Sequence, residues 1–191
     1  MNYFADAGTI LVEVLFGLAV ALFVLRVLLQ LVRANFYNPV CQFFYKTTNP
    51  VLMPLRKVLP PWRNFDIGGS GIAYLLECVK IWLLGALSGI ALNVPATLLL
   101  GFAELLSFLL MLIFWLILAR VILSFVAQGS YHPMVPLVTQ LTDPVLRPIR
   151  RLLPELGGID LSPLLATLLI FLARALLVAP LHDLGTALAQ G

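Results

Sequence analysis

The chain has 191 residues, 61% of them hydrophobic and 11% charged, with a mean hydropathy of +1.03. A soluble domain carries about 25% charged residues, and one this small cannot hide so much apolar surface within itself, so lipid must cover part of it. The net charge of +3 resides in basic residues beside apolar stretches, which favours anionic lipid headgroups rather than nucleic acid as a contact, and nothing resembles a nucleic-acid-binding module.

Residues 1–9 contain no Lys or Arg and carry Asp6. A cleavable leader needs a basic start, so the first apolar stretch is expected to remain as a membrane helix. Four stretches reach the ~20 apolar residues that span a bilayer. They run over about 8–32, with Glu13 and Arg26 inside; about 71–92, with Glu77 and Lys80; about 105–126, with Arg120; and about 164–181, with Arg174. None alternates with period two, so the fold class is all-α membrane, four helices rather than barrel strands. Asn93 and Pro95 mark a break before the third span. Residues 96–103 either lengthen that helix or lie in the interface, and Glu104 is placed near the membrane surface.

Loop charges set the orientation. The 33–69 loop holds Arg33, Lys46, Arg56, Lys57 and Arg63 against Asp66, and the 127–163 loop holds Arg147, Arg150 and Arg151 against Asp143, Glu155 and Asp160. The turn near Asn93 and the N-terminal tail have no basic residue. The excess of Lys and Arg predicts that both long loops are cytoplasmic and both termini lie outside.

The chain repeats itself. Thr48-Asn49-Pro50-Val51-Leu52-Met53-Pro54-Leu55-Arg56-Lys57-Val58-Leu59-Pro60 matches Thr142-Asp143-Pro144-Val145-Leu146-Arg147-Pro148-Ile149-Arg150-Arg151-Leu152-Leu153-Pro154 at 8 of 13 positions, 94 residues later. About one identity would arise by chance. The same offset carries Asn38-Pro39 onto His132-Pro133, Arg26 onto Arg120, Asp66 onto Asp160 and Lys80 onto Arg174. This is a duplication, with units at 1–94 and 95–191. Each unit has two spans, so the second copy enters with the orientation of the first, and a pseudo-two-fold axis along the membrane normal relates them.

The motif reads as a short, proline-punctuated amphipathic element. Thr48 or Asn49 can cap a helical turn begun by Pro50. Pro54 should bend or restart that turn, and Pro60 and Pro154 should end it. The basic residues Arg56, Lys57, Arg147, Arg150 and Arg151 are expected to face headgroups or a partner; a rigid connector packed on the helix ends is the plainer alternative. Ser162, followed by Pro163, is expected to cap the fourth span, and Ser70 the second, with Gly68 and Gly69 loosening that start.

The intramembrane charges need partners or access to the surface, because a central charge costs ~2.5–3.5 kcal/mol on insertion scales. Similar depths suggest an Arg26–Glu77–Lys80 cluster. In the second copy Phe171 stands at the place of Glu77, so Arg120 and Arg174 are expected to use carbonyls, to snorkel, or to reach an acid such as Asp160. Cys41 and Cys78 show no metal or haem spacing, and no GxSxG, HExxH or P-loop pattern is present. The expectation is a non-enzyme without a cofactor.

The paired motifs, with Asp160-Leu161-Ser162-Pro163 after the second, resemble the YggT (YlmG) family of small bacterial and plastid membrane proteins, as two family units over nearly the whole chain. The first copy departs at Asp66-Ile67-Gly68-Gly69. The resemblance implies a bacterial inner membrane location. It implies no accepted biochemical activity, and links to osmotic stress tolerance, to cell division or shape, and in plastids to cytochrome b6 haem maturation. Single-unit relatives imply pairing, with this chain similar to a fused pair. The leading expectation is an assembly or scaffold protein engaging membrane lipids and a protein partner or second copy. A small channel or transporter for ions or osmolytes comes second, and a haem-handling factor third.

Overall fold

The computed structural model describes residues 3–57, 61, 63–126, 133–152 and 160–190, leaving out the side chain of residue 5. The described elements are helices in the order α1 (Tyr3–Leu31), α2 (Pro39–Arg56), α3 (Ile67–Leu87), α4 (Val94–Val126), α5 (Met134–Leu152), α6 (Ser162–Ala173) and α7 (Ala179–Gln190), with a π-helical turn at Arg174–Val178 joining the last two. Four helical stretches are long and apolar enough to cross a membrane: Asp6–Leu31, Ile67–Leu87, Val94–Val126 and Ser162–Gln190. The spans therefore stand where the apolar pattern puts them, with longer ends. α4 is unbroken through residues 96–103, and at ~1.5 Å per residue it is ~50 Å long, more than a ~30 Å hydrocarbon core requires.

Each unit is a hairpin of two spans closed at one end by a shorter helix. α1 packs on α3, and α4 packs on α6 and α7, while α2 and α5 fold back against their own hairpins. α3 against α4 forms one seam between the units. A second seam buries Leu29, Ala34 and Cys41 of the first unit with Leu137 and Leu141 of the second. Phe23 and Leu52 in the first core have Ile117 and Leu146 as their counterparts 94 residues on. Leu98, Phe102, Trp115, Ile122 and Phe125 of α4 point outward and exposed, as a helix solvated by lipid should.

The α3–α4 seam depends on small residues. A Cβ on Gly101 would lie 2.5 Å from Cys78 Sγ, so only glycine lets the two backbones approach there. The α3 C-terminus closes with Gly89 at φ +74°, where the Ile90 N–H donates to Gly85 O at 2.8 Å, a Schellman arrangement.

Several local expectations are corrected. The motif does not start a new helix at Pro50; the helix starts at Pro39, with Asn38 Oδ1 accepting from Val40 N–H at 2.9 Å. Nor does Pro54 break it, because α2 runs through Pro50 and Pro54, and α5 through Pro144 and Pro148. The helical partners these prolines leave unbonded are the carbonyls of Lys46 and Pro50, and of Gln140 and Pro144. All four residues lie on the exposed face, where solvent can satisfy the freed oxygens. Pro60 and Pro154 lie outside the described residues, as does His132.

The span starts differ too. Asp66, not Ser70, caps α3 by accepting from Gly69 N–H at 3.1 Å. Asp160 Oδ1, not the Ser162 hydroxyl, accepts from Ser162 N–H at 2.9 Å. The glycines do not loosen the first start: a Cβ on Gly69 would meet Val27 Cγ2 at 2.9 Å, and one on Gly68 would meet Leu55 Cδ2 at 3.3 Å. They permit close packing.

The last span passes Pro180 by widening. Pro180 has no N–H to donate, and the preceding Ala179 N–H donates to Arg174 O, five residues back. The π turn takes up the extra residue without breaking the helix. The span consequently runs to Gln190 rather than ending near 181.

Candidate functional site

The repeated motif places a threonine on the buried face of each short helix. Thr48 and Thr142 are 1% and 0% exposed. Each hydroxyl donates back to a carbonyl four residues earlier, Phe44 O at 2.6 Å and Val138 O at 2.8 Å. That leaves the oxygen lone pairs free to accept. The intramembrane arginine of the first span takes this offer: Arg26 Nη1 donates to Thr48 Oγ1 at 2.7 Å and Tyr45 O at 3.1 Å. In the second unit Arg120 Nη1 donates to Thr142 Oγ1 at 2.8 Å and Thr139 O at 3.5 Å. Every partner is shifted by 94.

A second link follows the same rule. Arg56 Nη2 donates to Asp66 Oδ2 at 2.5 Å, and Arg150 Nη2 to Asp160 Oδ2 at 2.5 Å. Each unit thus contains a latch. The span arginine holds the motif threonine, and the motif arginine holds the aspartate that caps the next span. Charge-assisted bonds of this kind are shorter and roughly twice as strong as neutral ones.

The expected Arg26–Glu77–Lys80 cluster is corrected by this geometry. Glu77, fully buried, pairs with Lys80 at 2.5 Å, but among the described residues no ion pair joins it to Arg26. Arg26 Nε instead lies 3.7 Å from Asp66 Oδ2, and its guanidinium carbon lies 3.9 Å from the centre of the Tyr45 ring. Depth alone misled, because α2 folds back along α1 and supplies the partners. Arg120 does not reach Asp160; it pairs with Asp143 at 2.7 Å. Arg174 reaches Met111 Sδ at 3.2 Å and Ser107 Oγ at 3.3 Å.

The basic motif residues divide. Arg56 is turned inward, donating also to Gln30 Oε1 at 3.0 Å, so it is not a headgroup-facing residue. Burial works against its charge, but the hydrogen bonds and charges of Asp66 and Tyr45 together outweigh that and hold its pKa above the usual arginine value. Lys57 and Arg151 are exposed. Arg147 is 71% exposed and pairs with Asp143 at 2.8 Å. Arg150 is 40% exposed despite its link to Asp160.

Two carboxyls of the second latch titrate low. Burial alone would raise Asp143, but hydrogen bonds and charge from Arg120 and Arg147 outweigh it and hold the group below the usual range. Asp160 is likewise lowered against its burial, by hydrogen bonds from Ser162 and Arg150. Burial pushes the Cys41 thiol up, which keeps it protonated and unreactive. Among the described residues no group of His, Cys, Asp and Glu could hold a metal ion. The arrangement is one of position, in which two surface helices are locked to two membrane hairpins.

A family model described as CCB3/YggT matches residues 6–87 and again 99–181. "Uncharacterized protein YggT" of Escherichia coli K12 is 36% identical over 183 residues, covering 96% of this chain and 95% of that protein. "Uncharacterized protein PA0392" of Pseudomonas aeruginosa is 38% identical over 90% of this chain and 88% of its own length. A Vibrio alginolyticus protein, "Uncharacterized protein in proC 3'region", is 40% identical over 83% and 86%. No solved structure matches.

Proposed function

The chain belongs to the CCB3/YggT family, and from that premise we propose that it is a non-enzymatic assembly protein of the bacterial inner membrane. Its docking faces are the outer sides of α2 and α5. What carries this reading is the pair of latches, which fix both surface helices with an apolar and basic side turned outward. Phe43 is 58% exposed, Val51 51% and Met53 64%, beside exposed Lys46 and Lys57. α5 presents Arg147 and Arg151 in the same way. Such faces suit anionic headgroups together with a protein partner or a second copy of the chain.

The test replaces Lys57, Arg147 and Arg151 together with Gln, sparing the latch residues Arg56 and Arg150. Recovery of crosslinked partners from cells should fall sharply while membrane insertion is unchanged. Unaltered recovery would overturn the reading. The proposed orientation puts α2 and α5 on the cytoplasmic side and both termini in the periplasm. Impermeant thiol labelling of single cysteines at Lys57, Arg151 and Ser88 checks it: intact cells should label only the one at Ser88.

A second reading, a small conduit for ions or osmolytes, draws on Glu77. This wholly buried carboxylate sits mid-span beside Lys80, and intramembrane ionisable groups often mark pathways. Flux through reconstituted vesicles that is lost in Glu77→Gln would favour it, and flux no greater than in empty vesicles would exclude it.

A further inference from the structure

Two charged residues of the spans are left over once the pairs inside the molecule are counted. Arg26 and Arg120 are held by the latches, and Lys80 pairs with Glu77. Glu104 lies within electrostatic reach of Glu77 across the α3–α4 seam. Glu13 and Arg174 remain. Glu13 is exposed on α1 and makes no hydrogen bond or ion pair among the described residues. It stands seven residues inside the start of the span Asp6–Leu31, ~10 Å at ~1.5 Å per residue. Arg174 is partly exposed and bonds only to Met111 Sδ and Ser107 Oγ. Its Nε is buried without a partner, and among the described residues it forms no ion pair. A charge within a span is unfavourable until it is paired or reaches the surface.

The repeat puts these two groups at one depth. The Arg174 guanidinium is fixed on α4 at Ser107 and Met111, and the residues 94 earlier, on α1, are Glu13 and Gly17. Units that enter the membrane in the same direction are related by an axis along its normal, which preserves depth. At the level where α4 offers arginine a hydroxyl and a thioether, α1 therefore carries a carboxylate beside a glycine. A Cβ on Gly17 would meet nothing within 4 Å, so this side of α1 is open. Lys80, the counterpart of Arg174, is occupied by Glu77, and no ion pair joins Glu13 to Arg174 within one molecule. Exposed apolar side chains flank both charges: Ile10 (61%) and Val14 (53%) beside Glu13, Phe171 (45%) and Leu177 (55%) beside Arg174.

We infer that two copies of the chain associate within the membrane, with the Glu13 carboxylate of one accepting hydrogen bonds from the Arg174 guanidinium of the other. The charges are complementary, and they are level because both copies insert in the same direction. Lipid tails cover the flanking apolar residues equally well, but they offer Glu13 no donor and Arg174 no acid. Polar bonds of this kind join helices where lipid removes the hydrophobic drive for association. The contact lies in the spans and goes beyond the docking faces of α2 and α5.

Energy transfer between donor- and acceptor-labelled full chains in phosphatidylcholine vesicles, followed as added lipid dilutes the protein, tests this. Wild-type chains should show transfer that unlabelled chain competes away. Glu13→Arg and Arg174→Glu should each abolish it, because like charges then meet. Mixing those two variants should restore it, because each offers the other the opposite charge. Glu13→Gln, at an exposed position, should weaken association about 3–10-fold. The variant with Gln at Lys57, Arg147 and Arg151 should associate as the wild type does, which separates this contact from the surface helices. Absence of wild-type transfer overturns the inference and leaves lipid on this face. Undiminished association in Glu13→Gln also overturns it, as does a mixture that does not recover although both variants keep the wild-type unfolding midpoint. Should Arg174→Glu fail to insert, Arg174→Gln replaces it: Glu13→Gln, Arg174→Gln and the double variant should then associate equally weakly, and additive losses overturn the pairing.

Discussion

The first and second latches are built from the same bonds at a constant offset, yet they differ in how deeply they sit and how their charges are met. Arg26 and Asp66 are 2% and 0% exposed, whereas Arg120 and Asp143 are 18% and 17% exposed, and Arg150 and Asp160 40% and 42%. The hydrogen-bond geometry is the same in both copies, but Arg26 and Arg56 share the buried Asp66 whereas Arg120 and Arg150 pair with separate, partly exposed acids. A fold can keep its hydrogen-bond plan and still move the cost of desolvation from one copy to the other, because the bond depends on position and the cost depends on burial.

The sharpest way to break the comparison is to remove the capping acid from each unit. Asp66→Asn leaves two guanidinium groups without a carboxylate in a buried site and should cost about 3–5 kcal/mol. Asp160→Asn, at a surface pair, should cost less than about 1 kcal/mol. Denaturant unfolding in detergent micelles measures both, and equal losses would show that the copies do not differ in the way their burial implies.

Next in size is Gly69→Ala. Its Cβ would lie 2.9 Å from Val27 Cγ2, and the overpacking should cost about 1–3 kcal/mol. The second copy has Pro163 at this place, so the tight start of α3 belongs to the first unit alone. A smaller contrast comes from the threonines. Thr48→Val should cost about 1–2 kcal/mol, because Arg26 keeps only the Tyr45 carbonyl as a hydrogen-bond acceptor. Thr142→Val should cost less, since Arg120 retains Asp143.

The smallest effect is one of pH. Asp143 and Asp160 titrate below the ordinary carboxylate value of about 3.9 in the folded chain. A depressed folded pKa adds stability above the unfolded value and loses it as pH falls through the folded one. The second latch should therefore be intact from pH 7 to about 5 and weaken below about 4. Both groups are partly exposed, so the loss should be less than about 1 kcal/mol. Unfolding midpoints of the wild type and an Asp143→Asn, Asp160→Asn double variant, followed from pH 7 to 3, should converge at the acid end.

The duplication, the four spans and the members of the latches were legible in the sequence, since Arg26, Thr48, Arg56 and Asp66 all recur at one offset. Who bonds to whom was not. Matching charges by depth paired Arg26 with Glu77, because a loop of uncertain path gives no distance, and only the folding back of α2 along α1 brings Thr48 to Arg26. The signal was available in the co-repetition itself: two arginines, a threonine and an aspartate recur together, while Glu77 becomes Phe171 and drops out. The unbroken course of α2 and α5 was hidden for another reason. Proline's penalty depends on whether the freed carbonyls reach solvent, and that is a property of the packed face.

The π turn at Arg174–Val178 sets the rotational phase of everything that follows it. Each residue of an α-helix advances the chain by ~100°, so the residue accommodated before Pro180 decides which side of α7 meets α4. It brings Gly185 to a spot where a Cβ would lie 2.6 Å from Leu100, and it lets Leu188 O receive the Asn93 side-chain N–H at 2.6 Å. Deleting one residue between 174 and 178 would straighten the helix and roll its last three turns. The glycine would then be out of step with its neighbour, and the amide would lose its acceptor. The wide turn thus acts as a key that indexes the chain's end against the start of the second unit.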